Sequence, residues 1–335
     1  MTVLPPLDAP ATSTIAPRWL LNIFRANLVA QIGIVLTGGM VRLTGSGLGC
    51  PTWPECVDGS LLPTARQEES WHKLIEFGNR TLTFLLAILA IAAIIGALVW
   101  NRRNKRAGSD SRRSIVLLAA VPLIGTAVQA VLGGITVLTG LHPAVVAGHF
   151  LVSIGIIAGV TVLVDRAHDP GDQPVVPLVH GIVRGLASGL IALAFVIITL
   201  GTVVTGSGPN SGDADVSTRF GIDQRMAAWM HADTVFLFVG LLIGLLIALH
   251  LVDAPKAALR RAWILAVLTV ANGSLGYLQL ATGLPWLVVG MHMLLACLVW
   301  VTVIRLRLAM RSRGINTNDN DQATAASVQA AESLN

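Results

Sequence analysis

A handful of side chains that could do chemistry stand inside stretches otherwise made of hydrocarbon. Glu76, Asn79 and Arg80 fall in LIEFGNRTLTFL at the threshold of an apolar run, and His149, His231 and His292 fall inside others. A charge at the centre of a membrane helix costs about 2.5 to 3.5 kcal/mol, so each needs an interface, a partner or a function. Glu76 and Asn79 are three residues apart and share a helical face; Arg80, four from Glu76, is within reach of it. The Glu76–Arg80 pair reads either as an anchor for the helix end, worth under about 1 kcal/mol if solvated, or as a working carboxylate beside an arginine, whose guanidinium suits carboxylates.

The histidines gain weight from repetition. TGSG occurs at 44–47 and again at 205–208, and NRTLTFLLAI from Asn79 lies against HADTVFLFVG from His231. TGLHPAVVAGH ends at His149 and TGLPWLVVGMH at His292, each histidine ten residues after the Thr of TGL, and Gln129 matches Asn272. The pattern predicts two four-helix halves related by duplication. Asn79 and His231 then lie about five residues from the external ends of their spans, and His149 and His292 about six or seven, one common depth at about 1.5 Å per residue. Two histidines facing each other at one height in a four-helix half is the arrangement that holds a haem iron by two axial imidazoles, and the small residues of VVAGH and VVGMH leave room for a flat macrocycle. Zinc would want three or four converging ligands. His168, His180 and His250, at span ends, read as solvated, and His142 and His72 as local hydrogen-bonding residues.

The elements that must position these residues are legible from composition. The chain has 335 residues, 54% hydrophobic and 12% charged, with mean hydropathy +0.72, which excludes an ordinary soluble domain. Apolar runs of bilayer length, about 20 residues, are expected near 19–41, 75–100, 115–138, 143–164, 185–205, 226–251, 262–282 and 285–304. The fold class is therefore an all-α polytopic membrane protein of eight transmembrane helices. The net charge of +5 is no nucleic-acid surface, because the basic residues fall in alternate loops: Arg102 to Arg113, Lys256 to Arg261, and Arg305 to Arg313. The positive-inside rule makes those segments cytoplasmic and both termini with them. The expected organisation is a cytoplasmic arm 1–18, an amino-terminal half 19–165, a linker 166–184, a carboxyl-terminal half 185–308 and a disordered tail 309–335. Cys50 and Cys56 fall in the first external loop, where an oxidising compartment favours a disulfide over free thiols or a weak metal pair. Cys297 is a buried small hydrophobe.

Taken together, eight spans in two halves, an external Cys pair, an ExxHR-like element opening span two, and histidines in spans four, six and eight resemble the haem A synthase family of the CtaA type, across residues 19 to 308. The resemblance implies oxidation of the C8 methyl of haem O to the formyl of haem A for terminal oxidases. It implies a haem b cofactor in the carboxyl-terminal half with His231 and His292 as axial ligands, and substrate haem in the amino-terminal half on His149. Glu76 would be the catalytic carboxylate, Asn79 and Arg80 substrate-pocket residues, and Cys50 with Cys56 the external disulfide. EFGNR stands where ExxHR is expected, so Asn79 replaces a histidine. The implied partners are haem O, a farnesyl-transferring haem O synthase, a quinone or other electron acceptor, and the lipid of a bacterial plasma membrane, with no nucleic acid. A b-type cytochrome relaying electrons between a quinone and a partner would also keep His231 and His292 but has no need of Glu76; a duplicated transporter would line a path with polar residues, which here gather at the span ends instead.

Overall fold

The structure, a computed structural model, describes residues 15–64, 71–109, 111–210, 212–213 and 216–313. A chain crossing hydrocarbon must satisfy its backbone polar groups within itself, which leaves helices as the solution for apolar runs of this length. The described residues contain eight helices long and apolar enough to cross a membrane: α1 (Arg18–Leu43), α2 (His72–Arg106), α3 (Arg113–Leu138), α4 (Pro143–Arg166), α5 (Gly181–Ser207), α6 (Gln224–Leu251), α7 (Lys256–Ala281) and α8 (Trp286–Leu308). Each expected run has its helix. α5 begins four residues before the expected 185, because the His180 ring caps its first turn by accepting from the Ile182 amide at 3.3 Å.

The linker and the start of the tail meet. β1 (Val176–Pro177) pairs antiparallel with β2 (Arg311–Ser312), and the Leu178 amide donates to the Met310 carbonyl at 3.0 Å. Residues 309–313, expected in the tail, are thus ordered against the linker; a two-residue strand is too short to leave a periodicity in sequence. The expected arm up to residue 14 and the tail from 314 lie outside the described residues.

Within α1–α4 each helix packs on the next and α4 returns to α1; α5–α8 form a second such ring, and the two rings meet along α1, α4, α5 and α8. Close approach is bought with small residues. A Cβ on Gly125 of α3 would lie 2.6 Å from the Ile156 side chain of α4, one on Gly159 would lie 2.7 Å from Val121, and at the seam between rings one on Gly39 would lie 2.6 Å from Met293. The Trp300 indole on α8 donates to the Ile154 carbonyl on α4 at 2.9 Å, fastening the rings in the core.

The turns α3–α4 and α7–α8 share one backbone form. Gly140 and Leu141, and likewise Gly283 and Leu284, have positive φ, at 59°, 58°, 79° and 61°. In each the leucine amide reaches back five residues, Leu141 to the Thr136 carbonyl at 2.9 Å and Leu284 to Gln279 at 2.7 Å, a bond that closes helix C-termini. Identical turns start α4 and α8 alike, so the histidine ten residues past each Thr stands at the same height.

At the arginine-rich end, Asp165 on α4 is held by Arg261 of α7 and Arg305 of α8, both at 3.1 Å. Beside it the Arg112 side chain, fully buried, binds Asp172 at 3.1 Å and the carbonyls of Asp169 and Arg166 at 2.7 and 2.8 Å. Burial alone would raise the Asp172 carboxyl, but bonds from the Ser114 hydroxyl and amide, with the Arg112 and Arg166 guanidiniums, outweigh it and hold Asp172 below its ordinary value. A carboxyl lowered on folding stabilises above its unfolded value, about 3.9, and that stabilisation is lost as pH falls through the lower folded value. Asp172→Asn should therefore cost about 1 to 3 kcal/mol at pH 7, and the gap from wild type in thermal midpoint should close below about pH 4.

Candidate functional site

His231 on α6 and His292 on α8 face each other, ring centroids 6.4 Å apart at 63°. The His231 Nδ1 lies 2.9 Å from the Ile197 carbonyl of α5, and the His292 Nδ1 lies 3.1 Å from the Asn272 carbonyl of α7. A carbonyl only accepts, so each Nδ1 carries the proton and each Nε2 keeps its lone pair. Imidazoles on opposite sides of one iron, nitrogens about 2 Å from the metal and ring centres about 1 Å beyond, stand with centroids about 6 Å apart. The observed spacing fits an iron between two imidazoles. Among the described residues no group of three or more His, Cys, Asp or Glu converges as a metal site, so the pair suits a metal whose remaining ligands come from a macrocycle.

Glycines on the facing helices make this possible. Gly201 lies four residues after Ile197 and Gly276 four after Asn272; a Cβ on Gly201 would lie 3.4 Å from the His231 Cε1, and one on Gly276 3.5 Å from the His292 Cε1. The ring reaches the carbonyl one turn below because nothing projects above it. In the first ring Gly133 of α3 stands likewise against His149, with 3.6 Å from its would-be Cβ to Cε1. The sequence reading looked to the glycines and alanines beside the histidines and missed these, although Gly133 and Gly276 both lie six residues before the Thr of TGL, a signal the repeat carried.

The first ring is arranged differently. His149 Nδ1 is buried without a hydrogen-bond partner, while its carbonyl accepts from Gln129 at 3.0 Å. Asn79 accepts the Thr37 hydroxyl at 2.8 Å, and a groove of about 430 Å³ between α1 and α2 is lined by Thr37, Met40, Gly78, Asn79 and Leu82 among others. His72 is engaged by Ser46 at 2.9 Å, and His142 caps α4 by accepting from the Ala144 amide; both are local hydrogen-bonding residues.

Cys50 and Cys56 form a disulfide, and it is to this loop that Glu76 and Arg80 turn. Glu76, 5% exposed, accepts the Cys50 amide on Oε2 at 2.7 Å and the Arg80 guanidinium on Oε1 at 2.6 and 3.1 Å. Arg80 also donates to the carbonyls of Cys50, Thr52 and Glu55 at 2.7, 3.0 and 3.3 Å. Its fork is occupied by the loop. The structure thus brings Glu76, Arg80 and the disulfide together, brings His231 to His292, and ties Asn79 to Thr37.

Residues 19–210 match the family model described as COX15-CtaA, cytochrome oxidase assembly protein. That stretch contains Glu76, Asn79, Arg80, His149 and both disulfide cysteines; His231 and His292 lie beyond it, so their pairing stands on geometry. Among curated proteins the chain is similar to the heme A synthase of Exiguobacterium sibiricum, 30% identical over 186 residues, which is 55% of this chain and 59% of that protein. It is 34% identical to the heme A synthase of Lysinibacillus sphaericus over 151 residues, 43% and 45% of the two chains, and 28% identical to that of Alkalihalophilus pseudofirmus over 186 residues, 54% and 57%. The matched stretch spans about half the length of these relatives.

If the facing rings hold an iron, His231→Ala and His292→Ala should each abolish the low-spin absorption of the purified protein, since one imidazole leaves the iron five-coordinate. Gly276→Val should weaken that signal by crowding the ring off the Asn272 carbonyl, while Gly276→Ala, whose Cβ meets ordinary contact distances, should retain it.

Proposed function

From the premise that the chain belongs to the COX15-CtaA family of cytochrome oxidase assembly proteins, we propose that it converts haem O to haem A, oxidising the C8 methyl to a formyl group. The observation that carries this reading is the facing pair His231 and His292 with both Nδ1 atoms bonded to carbonyls, in a chain whose first ring also buries a carboxylate and a histidine. A haem b between them would supply one-electron chemistry. The protein's contribution there is to fix each ring's tautomer through a helix carbonyl, which would leave Nε2 free to hold an iron and raise its basicity.

Methyl to formyl removes four electrons, adds one oxygen atom and releases protons, so the substrate site needs a proton acceptor. Glu76 is the one buried carboxylate among the described residues. Its Oε1 and Oε2 accept protons or orient water, and Arg80 beside it offsets the charge it carries. His149, with no protein partner on Nδ1, binds the substrate haem from α4. Asn79 stands where a second imidazole is expected; an amide is a poor iron ligand, and a single strong axial bond suits a site that must admit a reactant and release a product. Substrate enters from a haem O synthase and electrons leave to a quinone or another acceptor. We further propose that the two rings are a duplicated pair, and that the arginine-rich end faces the cytoplasm of a bacterial plasma membrane, with both termini on that side. Nothing observed favours a plain b-type cytochrome, which would give the buried Glu76 no part in chemistry.

Pigment extracted from protein purified from cells that make haem O tests the reading: haem B together with haem O or haem A is expected, whereas haem B alone would mark an electron carrier. Glu76→Gln should keep haem B while raising the ratio of haem O to haem A at least tenfold, the lower range of what a positioned acid or base contributes being about 10². Arg80→Lys, which keeps the charge beside Glu76, should retain partial conversion. If both variants lose haem A equally and together with thermal stability, the carboxylate serves only to anchor the loop.

A further inference from the structure

At the arginine-rich end, a recess of about 150 Å³ opens between α7 and α8, lined by Arg260, Arg261, Ile264, Val301, Thr302 and Arg305. Three guanidiniums converge there. Arg261 and Arg305 share the two oxygens of Asp165, at 3.1 Å each, and among the described residues Asp165 is the one carboxylate ion-paired with any of the three. Arg260 is exposed and has no hydrogen-bond or ion-pair partner among the described residues. Three positive charges against one negative leave an excess of two facing the recess, more than pairing within the protein requires.

The other wall is apolar and turned outward. Ile264 is 45% exposed, one turn along α7 from Arg260, and the neighbouring Trp263 is 53% exposed. An exposed tryptophan within a turn of arginines at the end of a membrane helix marks the level of the lipid headgroups. Guanidinium donors stand at headgroup height, and below them an exposed aliphatic side chain faces the hydrocarbon. Basic pockets between helices at such an interface have the chemistry for an anionic headgroup.

We propose that this recess binds an anionic phospholipid, its phosphate on Arg260, Arg261 and Arg305 and its acyl chain along Ile264. A free phosphate would meet the same guanidiniums but would leave the apolar wall unused. Because Arg261 and Arg305 also hold Asp165 of α4, a lipid seated there lies against the clasp between the two rings. The proposal is independent of the haem chemistry, so its failure would leave the reading of the site untouched.

Native mass spectrometry of the intact protein, titrated in detergent with phosphatidylglycerol, phosphatidylcholine or inorganic phosphate, tests it. Wild type should retain one phosphatidylglycerol more tightly than any phosphatidylcholine, and Arg260→Gln should weaken that binding about fivefold, as expected for one arginine at an anionic interface. Arg260 takes no part in the Asp165 clasp, so this variant should keep the wild-type thermal midpoint without lipid. Arg102→Gln with Arg103→Gln, exposed arginines near the end of α2, should leave the affinity unchanged. Equal binding of the two lipids, an unchanged affinity in Arg260→Gln, or an equal loss in the Arg102 and Arg103 variant would each overturn the site. Inorganic phosphate that displaces phosphatidylglycerol at matched concentration would overturn the lipid as its ligand.

Discussion

Hydrocarbon offers no water to a polar group, so each one carried into the bundle must find a partner in the protein or stand at a cost of several kcal/mol. This constraint organises the whole molecule. Asn27, 1% exposed, spans α1 and α2 by donating to the Ile23 and Leu89 carbonyls at 3.1 and 2.8 Å. Arg112 is buried because two carbonyls and a carboxylate receive it. Several buried side-chain atoms among the described residues have no hydrogen-bond partner, Asn27 Oδ1 and Gln31 Nε2 among them; His149 Nδ1, Gln129 Oε1 and Asn272 Oδ1 are the ones on helices that carry or face the candidate ligands.

The two rings are joined at both ends as well as along their seam. At the disulfide end Arg42 of α1 donates to the Asn210 and Thr205 carbonyls at 2.7 and 3.2 Å, and the Gly47 amide donates to the Gly212 carbonyl at 2.7 Å, so the first TGSG stretch touches the segment that follows the second. At the other end the clasp is Asp165 with Arg261 and Arg305. Between them lie the Trp300–Ile154 bond and a core cluster drawn from α1, α4, α5, α6, α7 and α8. Such fastening keeps the histidine pair of one ring and the buried carboxylate of the other in a fixed relation, as electron transfer between two sites would require.

Glu76 illustrates how one interaction serves two ends. Its carboxylate, the Arg80 fork and the Cys50 backbone form a closed set of bonds in which the loop's amide and carbonyls are as much a part as the side chains. The disulfide shapes that loop, the loop presents the Cys50 amide, and the amide orients Glu76. The bonds that hold the loop down also fix the orientation of the carboxylate.

The sequence by itself determined the number and approximate bounds of the helices, since length and apolarity suffice where backbone bonding is local. It also pointed to one height for His149 and His292, since a repeated TGL turn followed by ten residues sets depth at one rise per residue, and the two turns share one positive-φ backbone form. Only the tertiary structure decided direction. Whether Glu76 turned toward a bundle interior or toward the Cys50–Cys56 loop depended on a loop amide 26 residues away, and whether Arg80 was free depended on three loop carbonyls that no periodicity reports. The glycines that admit His231 and His292 lie on other helices, Gly201 and Gly276, and the pairing of Val176 with Ser312 joins residues 136 positions apart. Helix periodicity encodes height and face through local rise and twist, whereas the partner of a side chain is settled by which helix packs against it.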